Sequence, residues 1–186
     1  QVQHIHDASL QLLAEVGMLV RHAEARKILA THGCQVDEET QLVRFPAQVI
    51  EQFRAMFPPT FTFHGRQAKF DVTLPNKRPV IMSAGFASHV IDPISGQERL
   101  AHSDDMARIA HLVNELPAYD LFSLPLIVND APNGYFSLAR YYPALKNCKK
   151  PICGDVPNVD ELRKVVQLGE LIAGGAEAYR QRPLIT

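Results

Sequence analysis

The sequence predicts an α/β chain: the N-terminal portion of a (β/α)8 TIM barrel, residues 79–186, preceded by a small mixed α/β region, residues 1–78. Apolar runs headed by Val80, Leu121, Ile152 and Leu184 recur after Pro79, the later ones roughly 30 residues apart, the length of a strand–helix–strand unit with parallel strands. A helical pattern falls in each interval between them. Ahead of Pro79 the elements are short, and helix and strand periods alternate without a recurring unit.

In the first region Ile5, Ala8, Leu12, Leu13 and Val16 recur at helical spacing, and Gly17 stands where a left-handed C-cap residue belongs. A second helix is expected from Ala23 to His32, ending at Gly33. "CQVDEETQLVRF" reads as two extended runs about a polar turn, and Pro46 opens a helix carrying Val49, Ile50, Phe53 and Met56 on one face. From Thr60 the period changes to two: Phe61 and Phe63, then Phe70, Val72 and Leu74, alternate with polar residues about the turn "HGRQAK".

In the second region the first crossover helix is expected at Ser103, a residue suited to an N-cap, with Asp104 and Asp105 in the dipole-favoured first turn and Met106, Ile109, Ala110 and Val113 on its apolar face. The second carries Leu138, Tyr141, Tyr142 and Leu145. The third has Asn158 as N-cap with Glu161 three residues on, and closes at Gly174-Gly175. The first interval is longer by ~10 residues, which the turn signals Asp92-Pro93 and Ser95-Gly96 assign to a hairpin inserted in the strand-to-helix loop. Loops of that kind form the active face of a barrel, so Gly85 and Phe86 are expected at its mouth. "RQRPLIT" begins a fourth parallel strand with no helix after it, so the chain is expected to be the N-terminal part of a longer protein, truncated at that strand.

Composition narrows the function. Nineteen Lys and Arg balance 20 Asp and Glu without a basic block, which argues against nucleic acid and membrane surfaces as partners. The longest apolar run, "LFSLPLIV", is broken by Pro125 and falls well short of the ~20 residues of a membrane span. "QVQHIHDASL" lacks the basic start and apolar run of a secretory signal, and three cysteines without C-x-x-C spacing imply neither a disulfide framework nor a zinc knuckle. A reducing cytoplasm is the expected location. No pair of histidines has the i, i+4 spacing of a helical zinc site, and no metal site is expected.

Four phrases carry a resemblance: "IHDASLQLLAEVGMLVRHAEARKILATHGCQVDEETQLVRFP", "FTFHGR", "HVIDPISGQERLAHSDDMARIAHLVNELPAYDLFSLPLIVNDAP" and "KKPICGD". Taken in order, they resemble the N-terminal part of the trimethylamine and glycine betaine corrinoid methyltransferase family. The resemblance implies a (β/α)8 barrel that moves a methyl group from a methylated amine or betaine to the cobalt of a cognate corrinoid protein. No cofactor would then be bound directly; the cobalamin is carried by that partner. The resemblance also implies that trimethylamine members hold a pyrrolysine on a later strand, beyond Thr186. Where family members often carry a glycine-rich stretch after the first barrel strand, this chain has Ser83-Ala84-Gly85-Phe86.

A methylammonium group has a diffuse charge and few or no N–H donors, so aromatic faces and carboxylates suit it best. Gly85 and Phe86 after the first run, Asn129 after the second and Asp155 after the third are the expected substrate-binding residues; the catalytic residues are unassigned. Each has a plainer role beside it. Phe86 can pack the hairpin onto the rim, and Asp155, Asn129 and Asp130 can cap the helices that follow. His64 and His89 suit structural hydrogen bonds, while Cys153, Tyr141 and Tyr142 suit packing. Two rival functions stay open on these residues: a non-catalytic binder of quaternary-ammonium solutes, and a barrel enzyme of unrelated chemistry. The particular amine and the oligomeric state, a homo-oligomer included, are not specified by the residues.

Overall fold

The apolar stripe of the first residues draws Val2–Glu15 into helix α1 in the computed structural model, which describes residues 1–186. The chain turns at Gly17 into strand β1 (Met18–Leu19), and helix α2 (Ala23–Thr31) begins where the His22 ring accepts from the Ala25 amide at 3.3 Å. Strands β2 (Gln35–Asp37) and β3 (Leu42–Arg44) form the hairpin about the polar turn, and β3 is the central strand of an antiparallel sheet in the order β1–β3–β2. Val43, paired with both Met18 and Val36, is fully buried. The buried cation of α2 is satisfied on three sides: Arg26 donates to Glu38 Oε2 at 2.8 Å and to the carbonyls of Val20 and Arg21. Helix α3 (Ala47–Arg54) follows Pro46, and Glu51 on it meets His6 of α1 at 2.6 Å. These elements make one compact unit, Gln1–Pro59.

The second unit is Thr60–Thr186, so the division falls after Pro59, ahead of the 78/79 boundary drawn from the sequence. The hairpin between the two positions explains the difference. Strands β4 (Phe61–Phe63) and β5 (Val72–Leu74) pair antiparallel across a short 3-10 turn at Ala68–Phe70. The Arg66 amide donates to Lys149 O at 2.9 Å, and its guanidinium donates to Leu145 O. Arg182, near the C-terminus, donates from both terminal nitrogens to Asp71 at 2.9 Å. Bonds of that sequence separation tie the hairpin to the parallel runs and their helices.

The four runs headed by Val80, Leu121, Ile152 and Leu184 lie in consecutive parallel register. Met82 bridges Leu121 and Ala87 bridges Leu126; strand β8 (Phe122–Ser123) pairs with β9 (Ile152–Cys153); Ile152 bridges Ile185. The first run is not the regular strand its apolar residues suggest. Its backbone pairs with its neighbour in ladder register at two isolated bridges, and between them the Ser83 hydroxyl accepts from the Ser123 amide at 3.0 Å and donates to Ser123 O at 2.8 Å.

The expected insertion is a hairpin of β6 (His89–Ile91) and β7 (Glu98–Leu100), turned by Asp92, whose carboxylate accepts from the amides of Ile94 and Ser95. Helices α4 (Ser103–Glu115), α5 (Phe136–Asn147) and α6 (Val159–Ala173) follow the first three runs, and a short α7 (Ala176–Gln181) that the periodicity does not signal precedes the fourth. The N-cap of α4 is His102 rather than Ser103, because Asp105 accepts from the His102 amide at 3.0 Å while Asp130 accepts from the Ser103 amide and hydroxyl. Met106, Ala110 and Val113 of α4, Tyr141, Ala144 and Leu145 of α5, and Val165 of α6 close over Phe122, Leu124, Leu126 and Ile152 in one core. No helix is long and apolar enough to cross a membrane.

Arg99 of β7 forks onto Asp105 at 2.7 and 2.8 Å, fastening the hairpin to α4. These bonds outweigh the burial of Asp105 and hold its carboxyl at about 2, below its ordinary value of 3.8. A depressed carboxyl contributes stability that is complete above its ordinary value and is lost as pH falls through the folded value. Asp105→Asn is therefore expected to lower stability by about 1–2 kcal/mol at neutral pH and to flatten the loss between about pH 4 and pH 2, read by urea unfolding across that range.

Candidate functional site

The exits of the parallel runs are held close by small residues and occupied by chemically active ones. At the first exit Gly85 adopts φ +136, a conformation that side chains disfavour, and a Cβ there would lie 3.2 Å from Pro125 O. This close approach lets the Ala87 amide reach Pro125 O at 3.0 Å and turns Phe86 outward, more than half exposed. At the third exit a Cβ on Gly154 would stand 2.6 Å from Tyr141 Oη and 2.7 Å from Leu124 Cδ1. Only the absence of a side chain lets the backbone before Asp155 lie this close to α5.

Between these exits sits a residue absent from those expected on sequence grounds. Arg140 of α5 is fully buried; its Nε donates to Leu126 O at 3.0 Å and its Nη2 to Asp155 Oδ1 at 3.0 Å. Its Cζ lies 5.2 Å from the centroid of the Phe86 ring and 5.1 Å from that of Phe136. Phe86 and Asp155, expected separately at the barrel mouth, thus meet on one guanidinium. The signal was present in the helical period: Ser137, Arg140, Tyr141 and Ala144 share the buried face of α5, and a charged residue on such a face needs partners.

The plainer roles divide differently. Asp155 does not cap α6; Asn158 does, accepting from the Glu161 amide at 2.9 Å. The Asp155 side chain is 57% exposed, so its carboxylate faces solvent as well as Arg140. Asn129 donates its side-chain amide to the carbonyls of Ser88, Ala101 and Ile127, pinning the hairpin base to the second exit. Asp130 caps no helix after it; it accepts from the Ser103 amide and hydroxyl in the first turn of α4. Its burial opposes ionisation, yet the two bonds from Ser103 hold its carboxyl below the usual range.

Among the remaining residues singled out, His64 bonds Asp71 at 3.2 Å and His89 bonds the Ser88 hydroxyl. Tyr141 is buried, and desolvation pushes its phenol up to about 12. Tyr142 is exposed beneath Lys146, and burial raises the Cys153 thiol. No group of three His, Cys, Asp or Glu side chains converges on a common point. What the exits offer is an aromatic face and a carboxylate organised around one fixed cation.

The chain is mixed α/β, with consecutive parallel runs and with polar and aromatic side chains at their exits. The family model for trimethylamine methyltransferase (MTTB) matches residues 1–186, and the chain belongs to that family. It is 26% identical over 182 residues to the trimethylamine methyltransferase MttB of Desulfitobacterium hafniense (strain DSM 10664 / DCB-2), covering 98% of this chain and 37% of that protein. It is 23% identical over 186 residues to a glycine betaine methyltransferase of Desulfitobacterium hafniense (strain Y51), covering 100% of this chain and 38% of that protein. The trimethylamine methyltransferase MttB of Methanosarcina barkeri (strain Fusaro / DSM 804) is 26% identical over 201 residues, covering 100% of this chain and 39% of that protein. The chain therefore spans about two-fifths of the length of the curated relatives it matches.

Because Gly154 is walled by a buried tyrosine and a buried leucine, Gly154→Ala is expected to destabilise the protein by about 1–3 kcal/mol through overpacking. Denaturant unfolding should show a lower midpoint at unchanged slope.

Proposed function

We propose that the whole protein is a corrinoid-dependent methyltransferase, moving a methyl group from a methylated amine or betaine to the cobalt of a separate corrinoid protein. Residues 79–186 would form the first part of its (β/α)8 barrel, with the small mixed α/β region ahead of it, and Gly85, Phe86, Asn129 and Asp155 would form part of its substrate face. The single observation that supports the reading best is the meeting of Phe86 and Asp155 on Arg140 at the exits of parallel runs, in a chain that belongs to this family.

In such a transfer the carbon–nitrogen bond would break with its electron pair going to nitrogen, which leaves as a neutral amine when it is quaternary, as in glycine betaine, or protonated, as in trimethylammonium; the reduced corrinoid, as second substrate, would supply the pair that bonds the methyl carbon. Electron count leaves little covalent work for the protein. Its lever is placement: holding nitrogen, methyl carbon and acceptor in line, with water excluded. The outer face of Phe86 would hold the methylammonium charge, and Asp155 would balance it. The hairpin of residues 87–101, fastened to α4 through Arg99 and to the second exit through Asn129, is a firm rim for the corrinoid protein to rest on. Three free thiols accord with the reducing cytoplasm such an acceptor requires.

The test is the visible spectrum. The full-length protein, mixed with its corrinoid partner in the reduced state and offered trimethylamine or glycine betaine, is expected to convert the Co(I) spectrum to that of methyl–cobalt. Binding of either compound without that change would favour a non-catalytic solute binder, and no binding would favour a barrel enzyme of other chemistry. Phe86→Leu is expected to remove about 0.5–2 kcal/mol of substrate binding, seen as a raised KM in the same assay.

A further inference from the structure

We propose that Arg140 is a positioning residue for the methylated substrate, fixing the Phe86 ring and the Asp155 carboxylate in one arrangement across three consecutive exits. The inference rests on the proposed function, in which these exits belong to the substrate site. The geometry is that of a strut. Nε is bound to the carbonyl of Leu126 at the second exit, Nη2 to the carboxylate at the third, and Cζ lies over the rings of Phe86 of the first exit and Phe136 of its own helix, 5.2 and 5.1 Å from their centroids.

Stability is a poor explanation for this arrangement. A fully buried guanidinium is costly to desolvate, and its Nη1 has no hydrogen-bond partner. Its one anionic partner is more than half exposed, so solvent screens their attraction. A well-packed apolar side chain at position 140 would fill the same space without those losses. What an apolar residue cannot do is hold an exposed carboxylate to one rotamer and a ring to one tilt at once. A planar fork with donors at its edge and two stacking faces does both, and a lysine has neither feature.

The arrangement has a directional consequence. Arg140 occupies the inner face of Phe86 and one oxygen of Asp155, leaving the outer face and the second oxygen for a cation. Asp155 is thus not the free counter-charge the sequence suggested; it is half of a pair whose other half sets its direction.

The experiment uses the full-length protein with its corrinoid partner, with trimethylamine and glycine betaine as methyl donors, comparing wild type, Arg140→Lys, Asp155→Asn and the double variant. Arg140→Lys and Asp155→Asn are each expected to raise KM for the active donor about tenfold while changing kcat less than about threefold, and the double variant to fall well short of the product of the two, because Arg140 acts in part through Asp155. Thermal unfolding of each variant separates folding from positioning. A variant Arg140→Lys with a lower melting temperature and unchanged KM would reduce Arg140 to a structural role and overturn the proposal. If that variant does not fold, Asp155→Asn decides: its carboxylate is exposed, its amide is isosteric, and an unchanged KM overturns the proposal equally. A wild-type protein that transfers no methyl group from either donor overturns the function and this inference together, whereas an active wild type with unaltered variants overturns this inference alone.

Discussion

A parallel segment can pair with its predecessor only if the chain between them returns across the face of the sheet. Helices α4, α5 and α6 provide that return, and each does so by burying one stripe against the same cluster of Phe122, Leu124, Leu126 and Ile152. The pairing itself is sparse, a few backbone bonds between segments two or three residues long. Where the backbone ladder is interrupted at Ser83, a side-chain hydroxyl takes both a donor and an acceptor role on Ser123. The helices therefore set the register, and the exits align because the helices do.

Two buried cations mark the two ends of this arrangement. Lys150, just ahead of β9, donates to the carbonyls of Val113, Leu116 and Tyr119 at 2.8, 2.7 and 2.7 Å. These carbonyls lie at the end of α4 and in the turn that follows it, and burial lowers the lysine's pKa while leaving it a full set of partners. Arg140, at the other end of the same strand, is incompletely satisfied and bound to groups that face outward. The contrast separates a charge that closes a helix from a charge that organises a surface.

The first third of the chain obeys a different logic. In Gln1–Pro59 the sheet is antiparallel, Val43 is its buried centre, and Arg26 replaces a larger core by gathering Val20, Arg21 and Glu38 around one guanidinium. A small unit has little apolar surface to bury, so a multiply bonded cation is an effective way to fix loop against helix. The hairpin β4–β5, which the alternating phenylalanines suggest belongs with this unit, instead joins the second through Arg66 and Asp71.

Local order carried far in the sequence. Helical periods located α1 to α6, Asn158 announced its own cap, the Asp92 and Gly96 turn signalled the inserted hairpin, and the ~30-residue rhythm anticipated parallel runs, because each depends on contacts within one element or on the length of chain needed to cross a sheet. Tertiary structure decided the rest. Whether Asp155 caps a helix or meets a guanidinium, whether Asn129 faces a ligand or a backbone, and whether Phe86 keeps both its faces depend on which side chain of α5 comes to lie between three exits. That is settled by the packing of Gly154 against Tyr141 and Leu124, contacts between residues far apart in the chain whose closeness no period in the sequence records.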